Sequence, residues 1–192
     1  MRLFAAVRPS AEALEHLAGA LAGLRDDRLR WTPPETWHLT LAFYGEVPDG
    51  AAEELAEGLE ALAAGTVPFE AGLRGAGVFS GRTLWVGTGT GTDGFAALCR
   101  GAREVGGQVL GRVEDRERAR PHLTVARQRV EHGRRSPGAA ERLARALGVY
   151  EGPPWTVSEV LLVRSELGKG RGGGPLHTDL GAFPTGVAPW SP

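Results

Sequence analysis

The sequence predicts an α+β fold in which two small lobes surround a cleft. The first observation is the length, since 192 residues correspond to one domain or to two small lobes with a shared core. The second is an internal repeat. Each half has a short apolar strand, at residues 3–7 and 84–87, followed by a helix, a strand containing His-Leu-Thr, a second helix and a further strand. Because each half is small for its own core, two half-sheets facing each other across a cleft are the economical arrangement.

The first half of the chain contains clear signals for each element. Residues 3–7 form an apolar run typical of a buried strand, and Ser10 is a candidate N-cap for the next helix. In that helix, apolar residues recur at helical spacing at Ala13, Leu14, Leu17, Leu21 and Leu24. Residues 37–44 are rich in Thr, Phe and Tyr, which predicts a strand. A helix is expected over residues 49–64, with Asp49 as its cap.

The same order of elements recurs after a strand predicted at residues 69–79. The later elements are a strand at 83–88, a helix at 92–110, a strand at 121–128, a helix at 138–147, and strands at 156–164 and 176–180. The glycine-rich segment 168–174 lacks the spacing of a P-loop, so we expect a mobile loop at the mouth of the cleft. Residues 1–180 are expected to form one two-lobed domain, and residues 181–192 a flexible C-terminal tail.

Composition excludes several classes of protein. Cys99 is the only cysteine, which rules out a disulfide scaffold or a site of several thiolates. No apolar run approaches the roughly 18–20 residues of a membrane span, and the N-terminus meets charge and proline too early for a signal peptide. The net charge of −1 argues against broad binding to duplex nucleic acid but permits a local anion site. We therefore expect a cytoplasmic protein with no membrane partner, and we expect a monomer.

The candidate chemistry lies in two short motifs, His38-Leu39-Thr40 and His122-Leu123-Thr124. Side chains alternate along a strand, so each motif presents an imidazole and a hydroxyl on one face and buries its aliphatic residues on the other. We expect Ala42 and Ala126 to continue the His/Thr face with little bulk, leaving room for a ligand. One His-x-Thr sequence arises easily by chance, but two in equivalent places of a repeat do not.

Two imidazoles facing each other suit the cleavage of a phosphodiester. That reaction takes a proton from the nucleophile and gives one to the leaving alkoxide, and histidine does both near neutral pH. The hydroxyls of Thr40 and Thr124 can donate to the non-bridging oxygens, where negative charge is held. Two alternatives stay open: each histidine bonds only its own threonine, or His38 and His122 are zinc ligands. A metal-free reaction fits better, because no carboxylate cluster accompanies the histidines in sequence.

The duplicated motif resembles the signature of the two-histidine phosphoesterases. In particular, the chain is similar to the bacterial and archaeal RNA 2′,3′-cyclic phosphodiesterases, historically called 2′–5′ RNA ligases. The likeness extends over residues 2–180 and is carried by segments 2–7, 30–38, 41–47, 121–127 and 165–167. The resemblance implies a bilobal α+β fold with pseudo-two-fold antiparallel sheets lining a central cleft. It also implies that an RNA 2′,3′-cyclic phosphate end is opened to a 2′-phosphomonoester without a metal or other cofactor.

Further candidates follow from the resemblance. Arg127 lies five positions after His122 and matches an arginine that the family uses near the phosphate. Strict alternation places Arg127 on the opposite face, so it reaches the cleft only through a bulge or the strand's end. Phe43 lies an even number of positions from Leu39 and Leu41, so alternation along the strand places it with them in the core. The candidate contacts to a base or phosphate are Arg30, Trp31, Phe43, Arg82, Arg118 and His177.

The sequence leaves the roles of the two histidines and the substrate open. Our working assignment is that His122 activates water and His38 protonates the departing O3′. Run backwards, the same chemistry joins RNA ends into a 2′–5′ linkage. One alternative is a phosphodiesterase for 2′–5′ oligonucleotides or for another cyclic phosphate. The other is a non-catalytic module that binds RNA ends, which the presence of both histidines and both threonines disfavours.

Overall fold

The structure is a computed structural model, and it describes residues 1–48, 50–112, 121–128 and 138–186. The elements in chain order are β1 (Arg2–Val7), α1 (Ala11–Ala22), β2 (Leu29–Trp31), β3 (Leu39–Glu46), α2 (Ala51–Ala64), β4 (Phe69–Phe79), β5 (Thr83–Thr90), α3 (Thr92–Leu110), β6 (His122–Gln128), α4 (Ala139–Ala146), β7 (Trp155–Val157), β8 (Glu159–Glu166) and β9 (Leu176–Pro184). Ser10 caps α1 as predicted, with its Oγ accepting a hydrogen bond from the Ala13 amide at 3.2 Å. Asp49, the predicted cap of α2, lies outside the described residues.

The described strands form one antiparallel sheet with the order β7-β4-β5-β6-β3-β1-β8-β9, and β2 pairs with β6 outside that path. One lobe consists of β1, β3, β8 and β9, and the other of β2, β4, β5, β6 and β7. Between β3 and β6 the described ladder contains a single pair, Leu39 opposite Leu123. The predicted α+β fold with duplicated antiparallel sheets is therefore confirmed, and the two His-x-Thr strands are neighbours at the junction of the lobes.

The lobes exchange strands, which the linear repeat did not indicate. Strand β4 ends the first repeat but pairs with β5 of the second, while β8 of the second repeat pairs with β1 of the first. For β4, the cause is the tight turn at Ser80 and Gly81, because a short hairpin connection pairs consecutive strands. The exchange joins the lobes into one contiguous core, which includes Leu3, Leu39, Leu73, Leu123 and Leu162.

The helices cover the sheet. Helix α2 packs against α3, β8 and β9, α3 packs against β3, and α4 packs against β4, β5 and β6. Helix α2 buries Leu55, Leu59 and Ala63, at the spacing expected for one helix face. Within the described residues, no helix is both long enough and apolar enough to cross a membrane.

The C-terminal boundary predicted at residue 180 is too early. Strand β9 continues to Pro184, and residues 181–184 pair with β8. The Gly186 amide then donates to the carbonyls of Ala63 and Thr66 at 3.0 and 2.9 Å. The prolines in this region suggested an irregular tail, but β9 has no neighbour on its outer side among the described strands, and an edge strand tolerates a residue without an N–H donor. Residues 187–192 lie outside the described part.

Candidate active site

The central cleft lies at the junction of the lobes, and it has a volume of about 400 Å³. Strands β3 and β6 run antiparallel through this junction, so the two motifs pass each other in opposite directions. All four motif side chains line this one cavity: His38, Thr40, His122 and Thr124. The structure thus brings together the imidazoles and hydroxyls that the sequence predicted to face each other.

Both motif strands contain a β-bulge just after the threonine. In β3, Ala5 pairs with Ala42 and Ala6 with Thr40, so Leu41 has no partner in this ladder. In β6, Leu84 pairs with Ala126 and Trp85 with Thr124, so Val125 is the extra residue. A bulge shifts the alternation of side chains by one position. As a result, the next side chain to face the cleft after the histidine and the threonine belongs to the fifth residue after the histidine and not to the fourth.

The bulges correct two predictions and bring Arg127 to the cleft. Ala42 and Ala126 do not continue the His/Thr face, because they turn into the core with exposures of 4% and 0%. Phe43, expected in the core, is 38% exposed and lines the central cleft. Arg127 reaches the cleft through a bulge, which is one of the two routes that the sequence allowed, and its Nη1 donates to Thr83 Oγ1 at 3.4 Å. The fifth residue after the motif histidine is therefore an aromatic residue, Phe43, in β3 and an arginine, Arg127, in β6.

His38 is held in a defined orientation on its side of the cleft. Its Nδ1 lies 2.7 Å from the Thr36 carbonyl oxygen, and because a carbonyl only accepts, Nδ1 carries the proton. The imidazole stacks on Phe4 with 4.7 Å between ring centroids, and the ring of His177 meets it edge-on at 5.1 Å. Burial lowers the pKa of His38 to about 4, although the hydrogen bond to Thr36 opposes the shift. At pH 7, His38 is therefore neutral, with Nε2 unprotonated.

His122 occupies the corresponding place in the other lobe with different neighbours. The ring of Phe79 meets the imidazole edge-on with 4.7 Å between centroids, and Trp85 lies at 6.1 Å. Phe4 is 2% exposed, whereas Phe79 is 43% exposed. The residue pattern gave no sign that Phe4, Phe79 or Trp85 would lie at the cleft. Phe4 and Trp85 lie on β1 and β5, which flank the motif strands, and Phe79 lies at the end of β4, one strand further out. Only the pairing of the sheet reveals them.

The remaining candidates separate into four groups. Arg30 and His177 line the central cleft. Trp31 lines an adjoining side pocket of about 650 Å³, which shares His38 and His177 with the central cleft and is also bordered by the glycine-rich segment. Arg82 belongs to the turn between β4 and β5, where its backbone bonds Phe79 and Gln128, and it is not among the residues that line either cavity. Arg118 lies outside the described residues.

A metal centre requires several ligand side chains that converge on one point. In residues 1–48, 50–112, 121–128 and 138–186, no group of three or more His, Cys, Asp or Glu side chains is placed to hold a metal ion. The polar groups that line the central cleft are instead imidazoles, hydroxyls and the guanidinium groups of Arg2, Arg30 and Arg127. This donor set suits an anion, because it supplies hydrogen-bond donors and positive charge.

Comparison with known proteins shows the family to which the chain belongs. A family model described as LigT like phosphoesterase matches residues 6–85. The RNA 2′,3′-cyclic phosphodiesterase of Methanothermobacter thermautotrophicus is 32% identical over 95% of this chain and 98% of its own length. That of Geobacillus stearothermophilus is 34% identical over 83% of this chain, which spans about half (48%) of that relative. A crystal structure of a Thermus thermophilus protein superposes with a TM-score of 0.78 and 31% identity, covering 96% of this chain and 97% of the other. The chain therefore belongs to the RNA 2′,3′-cyclic phosphodiesterase family of LigT-like phosphoesterases.

Proposed function

We propose that the protein hydrolyses RNA 2′,3′-cyclic phosphate ends to 2′-phosphomonoesters by acid–base catalysis with His38 and His122. The observation that carries this proposal is that both His-x-Thr motifs line one cavity at the junction of the two lobes. The names of the curated relatives indicate the substrate. Binding alone would not need two acid–base groups, whereas hydrolysis needs one base and one acid.

In the proposed reaction, the cyclic phosphate lies between the two imidazoles. His122 removes a proton from water as its oxygen attacks phosphorus, and the P–O3′ bond breaks as His38 gives a proton to O3′. The product keeps the P–O2′ bond as a 2′-phosphomonoester, and the proton gained by His122 balances the one lost by His38. The hydroxyls of Thr40 and Thr124 and the guanidinium of Arg127 donate to the non-bridging oxygens, where charge develops.

The acid role of His38 depends on the substrate. Burial keeps this imidazole neutral at pH 7, and an acid must carry a second proton. A phosphate anion within about 4–6 Å favours the charged imidazolium and raises its pKa. The negative charge of the substrate thus favours protonation of Nε2, while the hydrogen bond from Nδ1–H to the Thr36 carbonyl keeps the ring oriented.

The test is hydrolysis of an RNA oligonucleotide that ends in a 2′,3′-cyclic phosphate, with EDTA present. We expect the wild type to release a 2′-phosphate, and His38→Ala and His122→Ala each to lose about 10²–10⁴-fold in kcat. His16→Ala is the matched control, because His16 lies in α1 against Tyr150 and away from the cleft. Absence of product from the wild type would overturn the proposed substrate. Loss of activity on chelation would overturn the metal-free mechanism.

A second activity follows if a 5′-hydroxyl replaces water as the nucleophile. If water enters from the His122 side during hydrolysis, a 5′-hydroxyl in the same place would attack the cyclic phosphate and form a 2′–5′ linkage. Incubation of a cyclic-phosphate donor with a 5′-hydroxyl acceptor is expected to give a low yield of 2′–5′ product, lost in the same histidine variants.

A further inference from the structure

An exposed aromatic stack stands beside His122. The rings of Phe79 and Trp85 are nearly parallel, with an interplanar angle of 27° and 5.1 Å between centroids. The edge contact between Phe79 and His122 places this stack directly against the catalytic imidazole. Phe79 also lines the central cleft. The feature is therefore a flat apolar surface that reaches the place where the reacting phosphate is proposed to lie.

The backbone around the stack is shaped to accommodate it. A Cβ atom on Gly77 would lie 2.3 Å from Cζ2 of Trp85, so only glycine on β4 lets the indole lie flat across the sheet. On the other side of Trp85, a Cβ on Gly87 would approach Cζ3 to 3.2 Å. Ser80 has a φ of 51°, a left-handed conformation that costs energy for a residue other than glycine, and it directly follows Phe79. The end of β4 is thus held in a tight turn that presents Phe79 at the rim.

Support of His122 alone does not explain why Phe79 is exposed. Phe4 contacts His38 at the same centroid distance of 4.7 Å, and it is 2% exposed. Phe79 contacts His122 at 4.7 Å while leaving 43% of its surface accessible. Exposure of an apolar ring is unfavourable, and a large apolar side chain left open in a cleft is typical of a binding surface.

The neighbours of Phe79 connect it to the phosphate-binding groups. Thr83 pairs with Phe79 across the β4–β5 turn and with Arg127 across β5 and β6. The Thr83 hydroxyl also accepts a hydrogen bond from the Arg127 guanidinium. Phe79 is therefore a neighbour of both His122 and Arg127, within the reach of a single nucleotide bound at these groups.

We propose that Phe79, supported from behind by Trp85, stacks the nucleobase of the terminal nucleotide that carries the cyclic phosphate. This inference rests on the proposed function, because it takes the phosphate to lie at His122. The contact would be made through the face of the base, which every nucleobase has, so the platform tolerates any base. Its substrate class is a nucleoside 2′,3′-cyclic phosphate end, in preference to a cyclic phosphate without a base.

The test is a thermodynamic cycle in which the Phe79 side chain and the terminal base of the substrate are removed singly and together. The substrates are two RNA oligonucleotides with 2′,3′-cyclic phosphate ends, one with a terminal adenosine and one whose terminal sugar is 1,4-anhydroribitol, which has no base. We expect Phe79→Ala to lower kcat/KM for the adenosine end by about tenfold, chiefly through KM, and to leave the end without a base nearly unchanged. Phe79→Tyr is the conservative control, and it should retain the preference for a base.

The outcomes separate a stacking residue from one that positions His122. An equal loss on both substrates would overturn the proposal, because it would mean that Phe79 acts only through the imidazole. A wild type that hydrolyses both ends equally well would also overturn it. A third oligonucleotide keeps the terminal base and lacks the penultimate base. If the effect of Phe79→Ala depended on the penultimate base and not on the terminal base, the assignment to the terminal base would be overturned. Hydrolysis of neither end by the wild type would be a failure of the proposed function itself.

Discussion

At the scale of single residues, His38 links burial of a side chain to the binding of an anion. Its pKa of about 4 arises mainly from desolvation, and the charges of His177, Arg8 and His122 lower it further. The Nδ1–H bond to the Thr36 carbonyl remains when Nε2 takes up a proton. A bound anion that raises this pKa must, by linkage, bind more tightly when His38 is protonated.

We therefore predict that anion affinity falls as pH rises from the free pKa of His38 to its pKa in the complex. Between these two values one proton is taken up on binding, so Kd rises by up to about tenfold per pH unit. A nucleoside 2′-sulfate is a suitable ligand because its single charge is constant over this range. Calorimetric Kd values from about pH 4 to 8 and NMR titration of His38 would measure the effect.

The control for this titration is His38→Asn, which keeps a polar side chain but has no proton to gain. We expect its Kd to depend less on pH than that of the wild type. If the pKa of His38 did not move when the sulfate binds, the imidazole would stay neutral in the complex. That result would contradict its role as the acid and would give it the role of the base.

At the scale of elements, the paired bulges decide which side chains enter the cleft. The residue pattern predicted most strands and helices to within a few residues, because apolar periodicity is a local property of the chain. The bulges at Leu41 and Val125 left no such signal, since each is defined by the pairing with a neighbouring strand. For that reason the positions of His38 and His122 could be predicted, whereas that of Phe43 could not.

Strand β9 provides a prediction at this scale. A chain that ends at residue 180 loses the pairing of residues 181–184 with β8 and the two hydrogen bonds of the Gly186 amide to Ala63 and Thr66. It also loses Phe183, which packs against the core. We expect its melting temperature to be several degrees below that of a chain that ends at residue 186. Equal melting temperatures in circular dichroism would contradict an ordered β9 beyond residue 180.

At the scale of the whole molecule, strand exchange makes the two lobes depend on each other. The internal repeat was visible in the sequence because both halves carry the same order of elements. Which sheet the third strand of each repeat joins was not visible, since that depends on contacts between residues far apart in the chain. The result is that β4 and β8 each complete the lobe of the other repeat, and one core runs through both.

Exchange of this kind predicts a single cooperative unfolding transition. Leu162 lies on β8 and is 1% exposed, so Leu162→Ala removes core packing in the lobe that contains β1 and β3, at a cost of about 2–5 kcal/mol. Trp37 directly precedes the β3 motif, and Trp155 lies on β7 in the other lobe. With 5-fluorotryptophan in the protein, we expect the fluorine signals of both residues to report one midpoint, lowered equally by Leu162→Ala. Two midpoints, with only Trp37 shifted, would show that the lobes unfold separately. Coupled lobes would keep the two histidines in register, since each motif strand is held by a sheet to which both halves of the chain contribute.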